Sequence, residues 1–177
     1  MGIHGPLDWT IRPASAADAE ALALVAQATF LEAYAGLVRG PDLIAHCRTQ
    51  NSPEAFVAAL GEGAQAWLVE AQHTGAPLGF ALLTSSALPD AQPGDIELKR
   101  IYVLDRCQGS GAASALLQVV RDAARGHARL VLGTNTDNER ALAFYRKSGF
   151  AIIGTRQFTV GTQQFDDYIL ALPLEHT

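Results

Sequence analysis

The sequence predicts an α/β (α+β) fold, a mixed, mostly antiparallel sheet flanked by helices in the order β-α-α-β-β-β-α-β-α-β-β. Three observations carry this expectation. Strand-like runs rich in branched and aromatic residues lie side by side at 66–71 and 77–83, split by His73, Thr74 and Gly75, which reads as a hairpin. Further along, strand and helix patterns alternate, which requires crossovers and hence a parallel pair. At that changeover a run of small residues, Gly109-Ser110-Gly111-Ala112-Ala113, separates the strand-like 96–103 from an apolar helical repeat at Leu116, Leu117, Val120, Ala123 and Ala124.

Each element has a local reason. Residues 9–12 form a short first strand ended by Pro13. Ser15 and Asp18 have capping-box spacing, and Leu22, Ala26, Phe30 and Ala33 then share one helical face as far as about Tyr34. Gly40-Pro41 punctuates, with a turn or two of helix over 42–48. Ser52 as N-cap, Pro53 at the first position and Glu54 in the first turn open the next helix. Residues 89–94 read as a loop before the strand at 96–103. The helix beginning at Gly111 stops near Gly126, and 130–134 is a compact strand. Thr136 and Glu139 make a second capping box, opening a helix that Gly149 closes. Strands at 150–153 and 168–172, linked through Gly161, end the chain. With no repeat, low-complexity stretch or linker, 1–177 reads as one domain with 1–7 as a flexible tail.

Composition narrows the function classes. Of 177 residues, 49% are hydrophobic and 18% charged, the balance of a globular chain with a sizeable core. The net charge is −5 with no Lys/Arg-rich run, which disfavours nucleic acid as principal partner. The apolar-looking stretch 19–31 is interrupted by Glu20, Gln27 and Thr29, so no membrane span is expected. The first residues lack the basic and apolar regions of a signal peptide, so the expected location is cytoplasmic. Cys47 and Cys107 are far apart and read as reduced, packed thiols. His46 beside Cys47 has no further ligand at suitable spacing, so no metal site is expected.

The small-residue run carries the chemistry. First-turn N–H groups of a helix have no partner inside it, and the helix dipole adds partial positive charge, so the natural guest is a phosphate. No Gly-Lys-Ser/Thr follows, which excludes a P-loop. A dinucleotide site expects its first glycine almost at the strand end, whereas 104–108 intervene here. No acidic residue closes the next strand at Thr134 to hold a ribose either.

Two motifs resemble one family. Gln108-x-x-Gly111-x-Ala113 is similar to the Gln/Arg-x-x-Gly-x-Gly/Ala signature of the GNAT N-acetyltransferase superfamily. The block from Asn138 to Phe150, with Ala141, Tyr145 and Gly149, resembles that family's Asn-x-x-Ala-x-x-hydrophobic-Tyr-x-x-x-Gly-Phe motif. The element order agrees with the GNAT fold over nearly the whole chain. Thr29-Phe30-x-x-x-Tyr34, Leu98-x-Arg100-Ile101-Tyr102-Val103, Phe144-Tyr145-Arg146-Lys147 and Gly154-x-x-x-Phe158-x-x-Gly161 with Asp167 further resemble the bacterial PaiA-type spermidine/spermine acetyltransferases. No Trp stands near Thr134, where that subgroup has one.

The resemblance implies an acetyl-CoA-dependent N-acetyltransferase that passes an acetyl group directly to a primary amine, a polyamine among the candidates. It implies that Gln108, Gly109, Ser110, Gly111, Ala112, Ala113 and Ser114 hold the pyrophosphate, and that backbone groups of Ile101, Tyr102 and Val103 meet the pantetheine arm as an added strand would. Asn138 either meets the pantetheine or caps its helix. Tyr145 is the expected donor to the leaving thiolate. With a thiol pKa of about 8.5 and a phenol pKa of about 10, full proton transfer is uphill by roughly 2 kcal/mol, so an unperturbed Tyr145 acts first as a hydrogen-bond donor. For the acceptor amine, Glu97 is the candidate base and Asp95 its competitor, both on the strand leading into the loop. Glu32, Asp166 and Asp167 are the further carboxylates that a polycation would need. A homodimer is common among such relatives. The residues leave open an acetyltransferase for protein N-termini, amino acids or aminoglycosides, and a catalytically silent acyl-CoA sensor.

Overall fold

The structure, a computed structural model, describes residues 7–175. Residues 1–6 of the expected tail lie outside the described residues, whereas Leu7 packs against the core. The elements are β1 (Trp9–Ala14), α1 (Ala19–Tyr34), α2 (Gly40–Gln50), α3 (Pro53–Gly61), β2 (Gln65–Ala71), β3 (Pro77–Ser85), β4 (Asp95–Val103), α4 (Ala112–Ala123), β5 (Arg129–Asn135), α5 (Glu139–Lys147), β6 (Ala151–Val160) and β7 (Gln163–Pro173). The sheet order is β1-β2-β3-β4-β5-β7-β6, and every neighbouring pair is antiparallel except β4 with β5.

The mixed sheet with its single parallel pair is the expected one; several boundaries differ for local reasons. β1 runs through Pro13, because this strand is the sheet edge and a missing N–H there interrupts no inner ladder. The turn or two expected over 42–48 is a full helix with Pro41 in its first turn, so three helices, not two, separate β1 from β2. The cap of α5 is Asn138 rather than Thr136: its side-chain oxygen accepts the Ala141 N–H at 3.0 Å. β6 and β7 are longer than expected and form one hairpin turning at Gly161.

Apolar residues bind both faces of the sheet. α4 presents Ala112, Leu116, Leu117 and Val120, on one helical face, to Leu98, Leu130, Leu132 and Leu170, with Ala124 just past its end. On the other face Leu22, Val25 and Ala26 of α1 and Phe56 of α3 cover Leu68, Phe80 and Leu82. Among the described residues no helix is long and apolar enough to cross a membrane.

One feature of this sheet creates a site. β4 and β5 pair only through Asp95↔Arg129, Ile96↔Leu130 and Glu97↔Val131, yet β4 continues to Val103 and β5 to Asn135. A bulge between Leu82/Leu83 leaves Lys99 unpaired on β4, and a bulge bends its strand. Beyond Glu97 the two strands therefore run apart and leave a gap in the middle of the sheet.

Candidate active site

The β4 wall of the gap is backbone. Ile101 and Val103 pack toward α4, while Tyr102 stacks on Phe80 with ring centroids 6.1 Å apart on the opposite face. Their side chains serve the two core layers, and the strand edge toward β5 has no strand partner past Glu97. β3 can press against this segment because Gly79 lacks a side chain: a Cβ there would come within 2.7 Å of the Tyr102 carbonyl oxygen and of Val103 Cγ1.

β4 leads through a short 3-10 turn, Asp105–Cys107, into the small-residue loop and α4. The turn is anchored by the buried Cys107 and by the Glu32 carboxylate of α1, which accepts the Asp105 N–H at 3.0 Å. Gln108 folds back, its Nε2 donating to Asp105 Oδ1 at 2.6 Å, and Ser110 Oγ donates to the Cys107 carbonyl at 2.5 Å. Gly109 and Gly111 have φ of +76° and +83°, in the left-handed region, with nothing within 4 Å of where a Cβ would sit. Backbone conformation, not lack of room, therefore demands glycine at both positions. The N–H groups of Gly109, Gly111, Ala113 and Ser114 have no hydrogen-bond partner among the described residues. An open cradle of unspent donors at a helix start fits a pyrophosphate. The N–H groups of Gln108 and Ser110, by contrast, are taken by the carbonyls of Asp105 and Cys107, at 3.1 and 3.2 Å.

Tyr145 projects from α5, its ring held edge-on between Phe144 and Phe150 at 5.4 and 5.6 Å. The residue is only 8% exposed, and burial raises its pKa well above the ordinary phenol value. The hydroxyl has no hydrogen-bond partner among the described residues, and no fully buried polar side-chain atom there lacks one. It is therefore not fully enclosed, and Tyr34 and Tyr102 stand near enough for the phenols to disfavour one another's ionisation. A raised pKa makes Tyr145 a weaker acid than the free side chain, which suits hydrogen-bond donation and opposes full proton release.

The expected carboxylates separate. Glu97 is buried at the mouth of the gap, where one oxygen accepts the Ala87 N–H at 2.9 Å and the other is open by the same reasoning. Asp95 is closed off: Arg129 holds both its oxygens at 2.8 and 2.7 Å, and that bond depresses its pKa. Glu32 gives one oxygen to the Asp105 N–H from an exposed position on α1, and the Asp166 side chain is exposed. Asp167 is buried and faces Arg156 across the hairpin, its pKa raised by desolvation. Asn138 spends its side-chain oxygen on the cap, leaving its amide nitrogen.

An aromatic wall faces these groups. Phe30 stacks on His46 at 4.3 Å and tilts against Tyr34 at 4.5 Å, while Phe165 and Phe158 approach from the final hairpin. Desolvation lowers the His46 pKa to about 4, so the ring is neutral near pH 7. The hairpin tip clasps the start of α2: Gln163 accepts the Arg39 N–H at 2.7 Å, and Thr162 donates to Asp42 at 3.0 Å. Gly161 lies against the Asp42 carboxylate with no space for a Cβ. Arg100 of β4 is tied to the junction of α2 and α3, donating to Asn51 Oδ1 at 2.6 Å and to the Gln50 carbonyl at 3.1 Å. Sequence reading missed Arg156 and Phe165, because β6 and β7 were cut short of them. The signal was there in the alternation of Arg156, Phe158 and Val160 on one strand and Phe165, Asp167 and Ile169 on the next.

The model of the acetyltransferase (GNAT) family matches residues 32–150, which include the gap, the loop and Tyr145. The chain belongs to the GNAT acetyltransferase family. An N-acetyltransferase of Mycobacterium tuberculosis H37Rv, Rv2669, is 36% identical over 159 residues, 89% of this chain and 98% of its own length. The N-alpha-acetyltransferase RimI of the same organism is 37% identical over 89 residues, covering 50% of this chain and 54% of its own. Among solved structures, the GNAT fold is shared with the PaiA N-acetyltransferase of Thermoplasma acidophilum in complex with coenzyme A, at TM-score 0.76 and 21% identity over 94% of this chain and 99% of that one. It is shared as well with YncA of Salmonella typhimurium with its cofactor acetyl-CoA, at TM-score 0.68 and 21% identity over 96% of each chain.

Proposed function

We propose that this GNAT protein transfers the acetyl group of acetyl-CoA directly to a primary amine. The observation that carries the reading is the gap itself, with an unpaired strand edge along one wall, a cradle of free N–H groups at one end and the open Tyr145 hydroxyl beside it. The PaiA and YncA neighbours, determined with CoA and acetyl-CoA, support the same co-substrate. Acetyl-CoA supplies an activated acyl thioester when bound. The loop from Gln108 to Ser114 receives the pyrophosphate, with Gly109, Gly111, Ala113 and Ser114 giving backbone donors and Gln108, Ser110 and Ala112 holding the loop in shape. Ile101, Tyr102 and Val103 offer backbone groups to the pantetheine amides, joined by the amide nitrogen of Asn138.

Two side chains of this chain handle protons. Tyr145 donates a hydrogen bond to the departing sulfur, and its raised pKa keeps that proton in place across the physiological range. Glu97 accepts the proton of the acceptor, directly or through water, by its open oxygen. That help matters because an alkylammonium of pKa 10.4 is only about 0.04% neutral at pH 7. The carboxylates a polycation would need do not converge: Glu32 and Asp166 are exposed on separate elements and Asp167 pairs with Arg156, so the geometry supports a primary amine more broadly than a polyamine.

Thiol release from acetyl-CoA across spermidine, spermine, amino acids, peptides and an aminoglycoside tests the reading. Release driven by at least one amine is expected. Tight acetyl-CoA binding with no amine-driven release would leave the acyl-CoA sensor as the function.

A further inference from the structure

The sheet holds two arginine–aspartate pairs, and they are built differently. Arg129 grips Asp95 with Nε and Nη2 at 2.8 and 2.7 Å, the parallel geometry of a pair closed on itself. Arg156 on β6 gives Asp167 on β7 its Nε alone, at 3.2 Å. Its two terminal nitrogens have no hydrogen-bond partner among the described residues, and no fully buried polar side-chain atom there lacks one. Neither terminal nitrogen is therefore fully enclosed, and the Arg156 side chain as a whole is 24% exposed.

The position of that open edge is the informative part. The guanidinium crosses β7 and lies on Gly133 of β5, where an added Cβ would come within 2.6 Å of Nη2, 2.8 Å of Cζ and 2.9 Å of Nε. Gly133 stands beyond Val131, the last residue of β5 that pairs with β4, so it belongs to the wall of the gap. The Phe158 ring supports the guanidinium at 5.6 Å. Asp167, Phe158 and the bare backbone of Gly133 thus fix the fork while leaving its outer donors unspent. Arg100, another arginine on this side, is tied down at both terminal nitrogens, which donate to Asn51 Oδ1 and to the Gln50 carbonyl.

The geometry points to Arg156 as the receiver of an anionic group on the acceptor, which is then a primary amine carrying a carboxylate a few bonds from its nitrogen. This rests on the acetyltransferase reading above. A planar fork with two parallel N–H donors matches an oxyanion and offers nothing to a second ammonium. The aromatic wall of Phe30, Tyr34, Phe158 and Phe165 suits an apolar body between the two ends. Because Asp167 offsets the arginine's charge, discrimination comes from short hydrogen bonds rather than a long-range field, and it survives moderate salt.

The experiment compares matched acceptors: L-phenylalanine, L-phenylalaninamide and phenethylamine, then 4-aminobutyrate, its amide and butylamine. Initial rates of acetyl transfer are measured beside calorimetric titration of each acceptor into the CoA-saturated protein. In at least one set the acid is expected to exceed its amide by about 10–100-fold in kcat/KM and in affinity, the range for a charge-assisted pair. Arg156→Gln should collapse that ratio toward one, chiefly through KM. Gly133→Ala, which keeps both charges but displaces the guanidinium, should do the same in a folded protein. Acid preference in binding without any turnover would uphold the anion site and refute the acetyltransferase reading. Turnover with acid and amide alike would do the reverse. No preference in either measurement, or a variant that lowers acid and amide equally, would overturn the anion site.

Discussion

At the scale of single residues, the proposed transfer divides its proton chemistry between Tyr145, at the leaving sulfur, and Glu97, at the incoming amine. Tyr145→Phe removes one donor without disturbing a ring held by Phe144 and Phe150. It should lower kcat by about 10–100-fold, the range for a hydrogen bond to a charged group, with acetyl-CoA affinity unchanged. Glu97→Gln should lower kcat by about 10²-fold or more, the lower range for general base catalysis. Steady-state rates with calorimetric Kd values check both, and wild-type kcat in either variant would remove that residue's role. His46 gives a prediction about stability. Its folded pKa of about 4 lies below the ordinary 6.5, so the unfolded chain binds the extra proton between those values. Stability from this group is full above pH 6.5 and is lost as pH falls toward 4. Urea midpoints across that window should fall less steeply for His46→Phe than for the wild type; parallel slopes would contradict the placement.

At the scale of elements, the loop before α4 is the most specific structure in the chain. Gly111→Val forces a branched residue to φ +83°, at a stability cost of about 1–2 kcal/mol. Gly126, at φ +94° with open space around it, is equally strained but lies past the other end of α4. Both valine variants should lose similar stability in urea, whereas only Gly111→Val should raise the Kd for CoA, by tenfold or more. Equal CoA affinities in the two would place the pyrophosphate elsewhere. The same contrast explains what the sequence could reveal. Gly109 and Gly111 were legible because small residues between a strand run and a helical repeat have few other uses. The aromatic wall was only half legible, since Phe30 and Phe158 lie on elements that become neighbours through long-range pairing. Pro13 read as a strand end because local rules cannot tell an edge strand from an inner one. Arg156 carries only a weak signal, a short alternation with Phe158 and Val160 that reads as loop until β7 supplies its partner strand.

At the scale of the whole molecule, one topological event makes the site. Three residues of parallel pairing between β4 and β5 hold the sheet together, and the divergence beyond them opens it from within. α4 and α5 close one face of that opening with the loop and Tyr145, while α1, α2 and the final hairpin close the other with aromatic side chains. In the proposed reading, a donor held by backbone and an acceptor held by side chains meet between these two strands. The most direct test follows acetyl-CoA and amine together, recording thiol release and the N-acetylated product by mass spectrometry in one reaction. The structure predicts amine-dependent release matched one-for-one by acetylated amine, and strongly reduced in Tyr145→Phe. Acetyl-CoA that binds but is consumed no faster with any amine would contradict it.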